Sequence, residues 1–113
     1  MSIQQISGFL TPYAYETITV DNTVGGVGFT TTLLDQKDTQ VHRDFGRARY
    51  VFVTVETANI RYTVDGTVPV ATGPGHLLET GSSLTFINSQ AAKNFRAIRD
   101  TGSNGTLRVT YFR

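Results

Sequence analysis

The chain of 113 residues has no cysteine and no tryptophan, a single methionine and three prolines. Without cysteine there can be no disulfide, no thiolate-bound zinc or iron–sulfur cluster and no cysteine nucleophile. The same absence fits synthesis in a reducing cytoplasm. No stretch approaches the roughly 18 consecutive apolar residues of a membrane helix. The segment from Met1 to Phe9 has neither the basic start nor the apolar run of a signal peptide. Charge is scarce too: 17% of residues are charged, and ten Lys+Arg against nine Asp+Glu leave a net charge of +1. That balance is far from the strongly basic surface that captures nucleic acid electrostatically. With 39% hydrophobic residues it also argues against a disordered chain. The expectation is a soluble single domain over residues 1–113, with one modest core and neither nucleic acid nor membrane as its partner.

What is present suits a β protein. Thr occurs 18 times and Val 11 times, beside seven Phe, five Tyr and 11 Gly. β-Branched and aromatic side chains fit a pleated, half-buried surface, and glycines between such runs fit tight turns. Period-two runs lie at Tyr15–Val20, Phe29–Leu34, Ile60–Asp65, Leu84–Phe86, Phe95–Arg99 and Thr106–Phe112. Tyr50–Val55 is apolar on both faces, the pattern of a central strand, and a short Ile3–Ile6 segment brings the total to about eight. Asp21-Asn22, Gly25-Gly26, Asp65-Gly66, Gly73-Pro74-Gly75, Glu79-Thr80-Gly81 and Asn104-Gly105 separate the runs. Only Ser89–Asn94 hints at a helical turn, too short to count as an element. Short strands at this spacing predict an all-β fold, a single jelly-roll-like β-sandwich of about eight strands. Phe52, Val53, Tyr62, Leu84, Phe86 and Val109 are its expected core.

The sharpest catalytic look-alike is Asp100-Thr101-Gly102-Ser103, which matches the catalytic loop of aspartic proteases. Arg99 stands where that loop carries an apolar residue, and 13 residues follow Asp100, too few for a flap and a second apolar-Gly loop. A turn between the last two strands is the simpler reading. His42 and His76 are 34 residues apart, with no recognised ligand spacing around them. No Gly-x-Ser-x-Gly elbow occurs, and Gly25-Gly26-Val27-Gly28 lacks the spacing of a phosphate or dinucleotide loop. The chain is accordingly expected to have no catalytic residues, no metal site and no cofactor.

The basic residues are eight Arg and two Lys. Arginine makes forked contacts and is enriched at protein interfaces, where lysine is depleted. Arg43, Arg47 and Arg49 surround Phe45, a polar rim about an apolar anchor, and these four are the candidate protein-contact residues. Lys93, Arg96 and Arg99 form a second basic group near Asp100.

The stretch Tyr62-Thr-Val-Asp-Gly-Thr-Val-Pro69 resembles a Tyr-Thr-x-Asp-Gly-Thr-x-Pro hairpin of many β-sandwich modules, some attached to carbohydrate enzymes. The longer succession is Asn59–Pro69, then Gly75-His-Leu-Leu-Glu-Thr-Gly-Ser-Ser-Leu-Thr-Phe86, then Lys93-Asn-Phe-Arg-Ala-Ile-Arg99 and Gly105-Thr-Leu-Arg-Val-Thr-Tyr-Phe-Arg113. Over about residues 48–113 it resembles the small β-sandwich virion proteins of tailed bacteriophages. The resemblance implies a structural, non-enzymatic role on the particle, which is assembled in the host cytoplasm. A capsid decoration or cement protein is the first expectation, a homo-oligomer whose partner is the major capsid protein or another virion protein. A head–tail junction or tail-associated component is the alternative within that class. A carbohydrate-binding module is the alternative outside it, weakened by the absence of tryptophan for stacking on sugars.

Overall fold

The computed structural model describes residues 10–35 and 48–113. Seven strands lie there, all but β4 on runs marked above: β1 (Pro12–Val20), β2 (Tyr50–Glu56), β3 (Ile60–Thr63), β4 (His76–Leu78), β5 (Ser83–Phe86), β6 (Arg96–Arg99) and β7 (Gly105–Phe112). Two single-turn helices accompany them, α1 (Thr31–Leu34) and α2 (Ser89–Lys93). The strands form two antiparallel sheets, β1-β7-β2-β5 and β4-β3-β6. This is the expected all-β sandwich.

A further antiparallel bridge joins Val27 to Ala97, with N–H···O distances of 2.8 Å in both directions, on the side of β6 away from β3. Gly26 makes the bridge possible. Its φ is +79°, and a Cβ there would stand 3.1 Å from the Ala97 carbonyl oxygen. With the Val27 bridge counted as the remnant of an eighth strand, the sheets read β1-β7-β2-β5 and Val27-β6-β3-β4. The chain then crosses between sheets at every step except β3 to β4. Jelly rolls alternate between their two sheets in the same manner.

The register sorts the side chains. Val51, Val53 and Val55 of β2 face inward beside Leu107, Val109 and Tyr111 of β7, all buried. Phe86 of β5 and Val20 of β1 complete that inner face. Ile60, Leu78 and Ala97 face them from the other sheet. Between the layers lies a ring cluster. Phe29 stacks on Phe95 at 4.5 Å and meets Phe86 and Tyr111 edge-on at 5.4 and 6.2 Å, while Tyr62 stacks on Phe95 at 5.9 Å. Of the six expected core residues, Val53, Phe86 and Val109 are buried, whereas Phe52, Tyr62 and Leu84 are half-buried. Phe52 shares the outward row of β2 with Tyr50 and Thr54, so the two-sided apolar pattern marked a central strand whose outer face is only partly covered.

Phe29–Leu34 is not a strand. Phe29 enters the core, Thr30 turns the chain, and Thr31–Leu34 close one helical turn that buries Leu34. Tertiary contacts override the β-branched run here. The Thr30 hydroxyl and N–H donate to the two Glu16 carboxylate oxygens at 2.7 and 3.2 Å, which draws this segment against β1. The helical turn after β5, by contrast, is a defined element. Asn88 caps it by accepting from the Ala91 N–H at 2.7 Å, and Ala92 is fully buried. His76–Leu78 is a strand that the periodicity did not mark, and Ile3–Ile6 lies outside the described residues.

One carboxylate faces inward from β1. Glu16 accepts from the Tyr111 hydroxyl as well as from Thr30, so its oxygens are satisfied where a bare charge would be costly. Burial, and then this bond, push the Tyr111 hydroxyl pKa upward. Tyr13, also on β1, donates to the Leu33 carbonyl at 2.6 Å, and burial pushes its pKa up to about 12.

Truncation of Phe86 to Ala removes one of the rings that bridge the sheets and should cost about 3–5 kcal/mol. For a domain of this size the melting temperature should fall by more than about 10 °C, measurable by circular dichroism. A loss of a degree or two would show that the ring cluster is not what joins the layers.

Candidate functional site

The recess that holds the one described member of the predicted contact set opens at one end of the outer face of the four-stranded sheet. Its volume is about 520 Å³, and Leu10, Ala48, Arg49, Tyr50, Ile87, Asn88 and Ser89 line it. The residues come from three places. Leu10 leads into β1, Ala48 and Arg49 lead into β2, and Ile87–Ser89 pass from β5 into α2. The β2–β5 ladder pairs Val51 with Phe86, so one step further sets Ile87 beside Tyr50. Period two turns Phe86 inward and Ile87 outward, and Ile87 is 76% exposed. Tyr50 meets Phe112 edge-to-face at 5.6 Å, which holds its ring.

Backbone bonds fix this corner. The Arg49 N–H donates to the Phe112 carbonyl at 2.8 Å, and the Ala48 N–H to the Leu34 carbonyl at 2.7 Å. The Arg49 side chain is exposed, a cation at the rim of a largely apolar hollow. Of the four predicted contact residues, Arg49 is therefore placed at the recess. Arg43, Phe45 and Arg47 lie outside the described residues, as does His42. The hollow's other walls, Tyr50 and Ile87 above all, escaped the sequence reading. The available signal was the apolar pair Phe86-Ile87, whose second member must face outward on any alternating strand.

The second basic group does not form one patch. Lys93 pairs with Asp35 at 3.0 Å across the two helices. Arg96 donates to the Lys93 and Phe95 carbonyls at 3.1 and 2.8 Å, and Arg99 donates to the Asn104 side chain at 2.9 Å. Each cation serves its own corner of the fold.

Asp100 lies in the turn between β6 and β7. The Arg61 Nε donates to it at 2.8 Å and the Thr72 N–H at 3.3 Å. The guanidinium bond, more than any other cause, holds its pKa below the usual carboxylate range. Thr72 sits at φ +56°, uncommon for a β-branched residue, in the loop that Asp100 ties back to β3. The arrangement is a carboxylate used as a structural clasp. His76 faces Tyr62, ring centres 5.5 Å apart, beside a second hollow of about 250 Å³ with Thr63, Val64, Asp65, Thr67 and Gly75. Bonds from the Thr67 hydroxyl and N–H lower the Asp65 pKa, again the signature of a turn. Among the described residues no three His, Asp or Glu gather as a metal site, and no helix is long and apolar enough to cross a membrane.

Comparison with known protein families, with curated proteins and with solved structures finds no match to this chain.

Asp100→Asn should fold, because asparagine can still accept from Arg61 and Thr72 and suits a turn. Its effect should appear in acid. A folded pKa held below the unfolded one gives stability that is present above the unfolded carboxylate pKa and lost as pH falls through the folded one. The variant should therefore lose less stability than the wild type between about pH 5 and pH 2, read from urea midpoints. An identical pH profile would mean that the Arg61 clasp does not act in solution. Pepstatin-sensitive peptide cleavage abolished by the same change would instead make Asp100 catalytic.

Proposed function

We propose that the chain is a structural protein of a bacteriophage virion, a decoration or cement protein bound in many copies to the capsid lattice. Adhesion is its mechanism. A rigid sandwich that binds the assembled lattice, and not the free subunit, stabilises the lattice by mass action. Its partner on this reading is the major capsid protein, and its place is the virion. A head–tail junction or tail component would use the same adhesive chemistry at another position.

The observation that carries the reading is the recess at Arg49. An open apolar hollow with an exposed Ile87 on one lip and a guanidinium on the other is suited to an apolar side chain flanked by a carboxylate. The resemblance over residues 48–113 supports the same class. The polar groups with the catalytic look-alikes are engaged in turns and clasps, which also supports a role in binding.

A carbohydrate-binding role has one observation in its favour. Tyr15 is 58% exposed on the outer sheet face, and its hydroxyl lies within hydrogen-bond distance of Thr17 and Arg108 at 3.2 and 3.4 Å. Among the described residues Tyr15 by itself offers little stacking surface, so this reading ranks second.

The test is a particle-binding experiment with bare heads. Replacing Ile87 by Asp and Arg49 by Ala removes the anchor and the rim charge, and truncating one such anchor costs about 2 kcal/mol or more, roughly thirtyfold in affinity. Occupancy at wild-type concentrations should collapse while the circular dichroism spectrum is unchanged. Full occupancy by the double variant would remove the recess from the interface. Polysaccharide binding abolished by Tyr15→Ala, with no binding to heads, would move the protein to the carbohydrate class.

A further inference from the structure

β1 lies at the edge of its sheet, and among the described residues nothing pairs with its outer side. The hydrogen-bond parity says which of its backbone groups are left over. Val55 exchanges bonds with the segment before β5, donating to Ser82 at 3.1 Å and accepting from Gly81 at 2.8 Å. Val51 and Val53, two and four residues away, face β5 likewise, so Tyr50, Phe52, Thr54 and Glu56 face β7. Their partners Phe112, Thr110, Arg108 and Thr106 face β2, and the alternate residues Tyr111, Val109 and Leu107 face β1. Ala14, Glu16 and Ile18 are therefore the residues of β1 that bond to β7. Tyr15, Thr17 and Thr19 turn their N–H and C=O groups to the open edge, and all three side chains are exposed.

We infer that this edge is an interface with a second copy of the chain, β1 against β1 in antiparallel register about a two-fold axis through Thr17. The register follows from the sequence. Centred on Thr17, it sets Thr17 opposite Thr17 and Tyr15 opposite Thr19, so every outward-facing residue of the run exchanges two hydrogen bonds. Moving the axis to Glu16 sets two carboxylates face to face, and moving it to Ile18 matches Tyr15 with Asp21 beyond the strand end. Thr–Thr and Tyr–Thr cross-strand pairs are favourable ones. Glu16 faces Ile18 of the other copy, with its carboxylate turned into its own sandwich toward Tyr111 and Thr30. Edge strands are commonly protected by lysine or by a break in regularity. Here the irregularity lies between Pro12 and Ala14, outside the paired run, and no lysine occurs in β1. The product is one continuous sheet of eight strands, four from each copy. The inference does not depend on a virion role, because the strand edge is present whatever the recess at Arg49 binds.

The cysteine-free sequence allows a direct test. The hydrogen-bonded Thr17 pair would have its Cα atoms about 5.5 Å apart, within disulfide range. Thr17→Cys should give a covalent dimer on mild oxidation, reversed by reductant, whereas Thr101→Cys, in the β6–β7 turn, should stay monomeric on denaturing gels. Sedimentation equilibrium of the wild type should show a dimer. Thr17→Pro removes an edge donor without touching the β7 ladder, and should weaken that dimer by about tenfold or more. A wild type that is monomeric at the highest concentrations reached, or a dimer that Thr17→Cys does not cross-link, overturns the proposal. The cross-link readout holds even where the proline variant fails to fold.

Discussion

Phe29 and Phe95 lie ring on ring at 4.5 Å, and the two sheets are organised around that contact. With no cysteine to staple them, the layers are held chiefly by apolar burial, and the ring cluster supplies several of its bulkiest side chains. Phe95 comes from the join between α2 and β6, and Phe29 from the segment after the Val27 bridge. Phe86 and Tyr111 come from the opposite sheet. Each ring reaches the centre only if its own element is set correctly. The Asn88 cap turns α2 so that Phe95 points inward, and Gly26 lets the chain approach Ala97 closely enough to bring Phe29 after it. The caps and tight turns thus act on the core indirectly, through the rings they aim.

The strands were legible where one face is buried and the other wet. β7 is the clearest case. Leu107, Val109 and Tyr111 alternate with Thr106, Arg108 and Thr110, and the burial follows that pattern until Phe112. Legibility failed where tertiary bonds decide. Thr30–Thr32 have strong β preference, yet Glu16, fourteen residues back from Thr30, draws the segment out of the sheet. A strand as short as His76–Leu78 holds too few residues for a period to show, and its place is set by pairing with β3.

Of the candidate contact set, Arg49 borders an open hollow, while Arg43, Phe45 and Arg47 lie outside the described residues. The opposite wall could not be foreseen, because Ile87 joins Tyr50 only through the β2–β5 register, 37 residues away along the chain. The Asp-Thr-Gly-Ser motif shows the reverse. Its letters suggest chemistry, whereas its surroundings, Arg61 and the Thr72 N–H, use the carboxylate to hold a loop.

The placement of β7 has a consequence for synthesis. Among the described residues it is the last strand, and it lies between β1, the first of them, and β2, so the four-stranded sheet has no continuous ladder until Gly105–Phe112 has left the ribosome. Until then β1 and β2 have no common partner, and each has open edges for any neighbouring nascent chain to pair with. Closing the sheet then brings together residues about ninety positions apart, the kind of topology that folds slowly. The chain is most open to mispairing in that interval, when β1 and β2 are finished but their common neighbour is still missing.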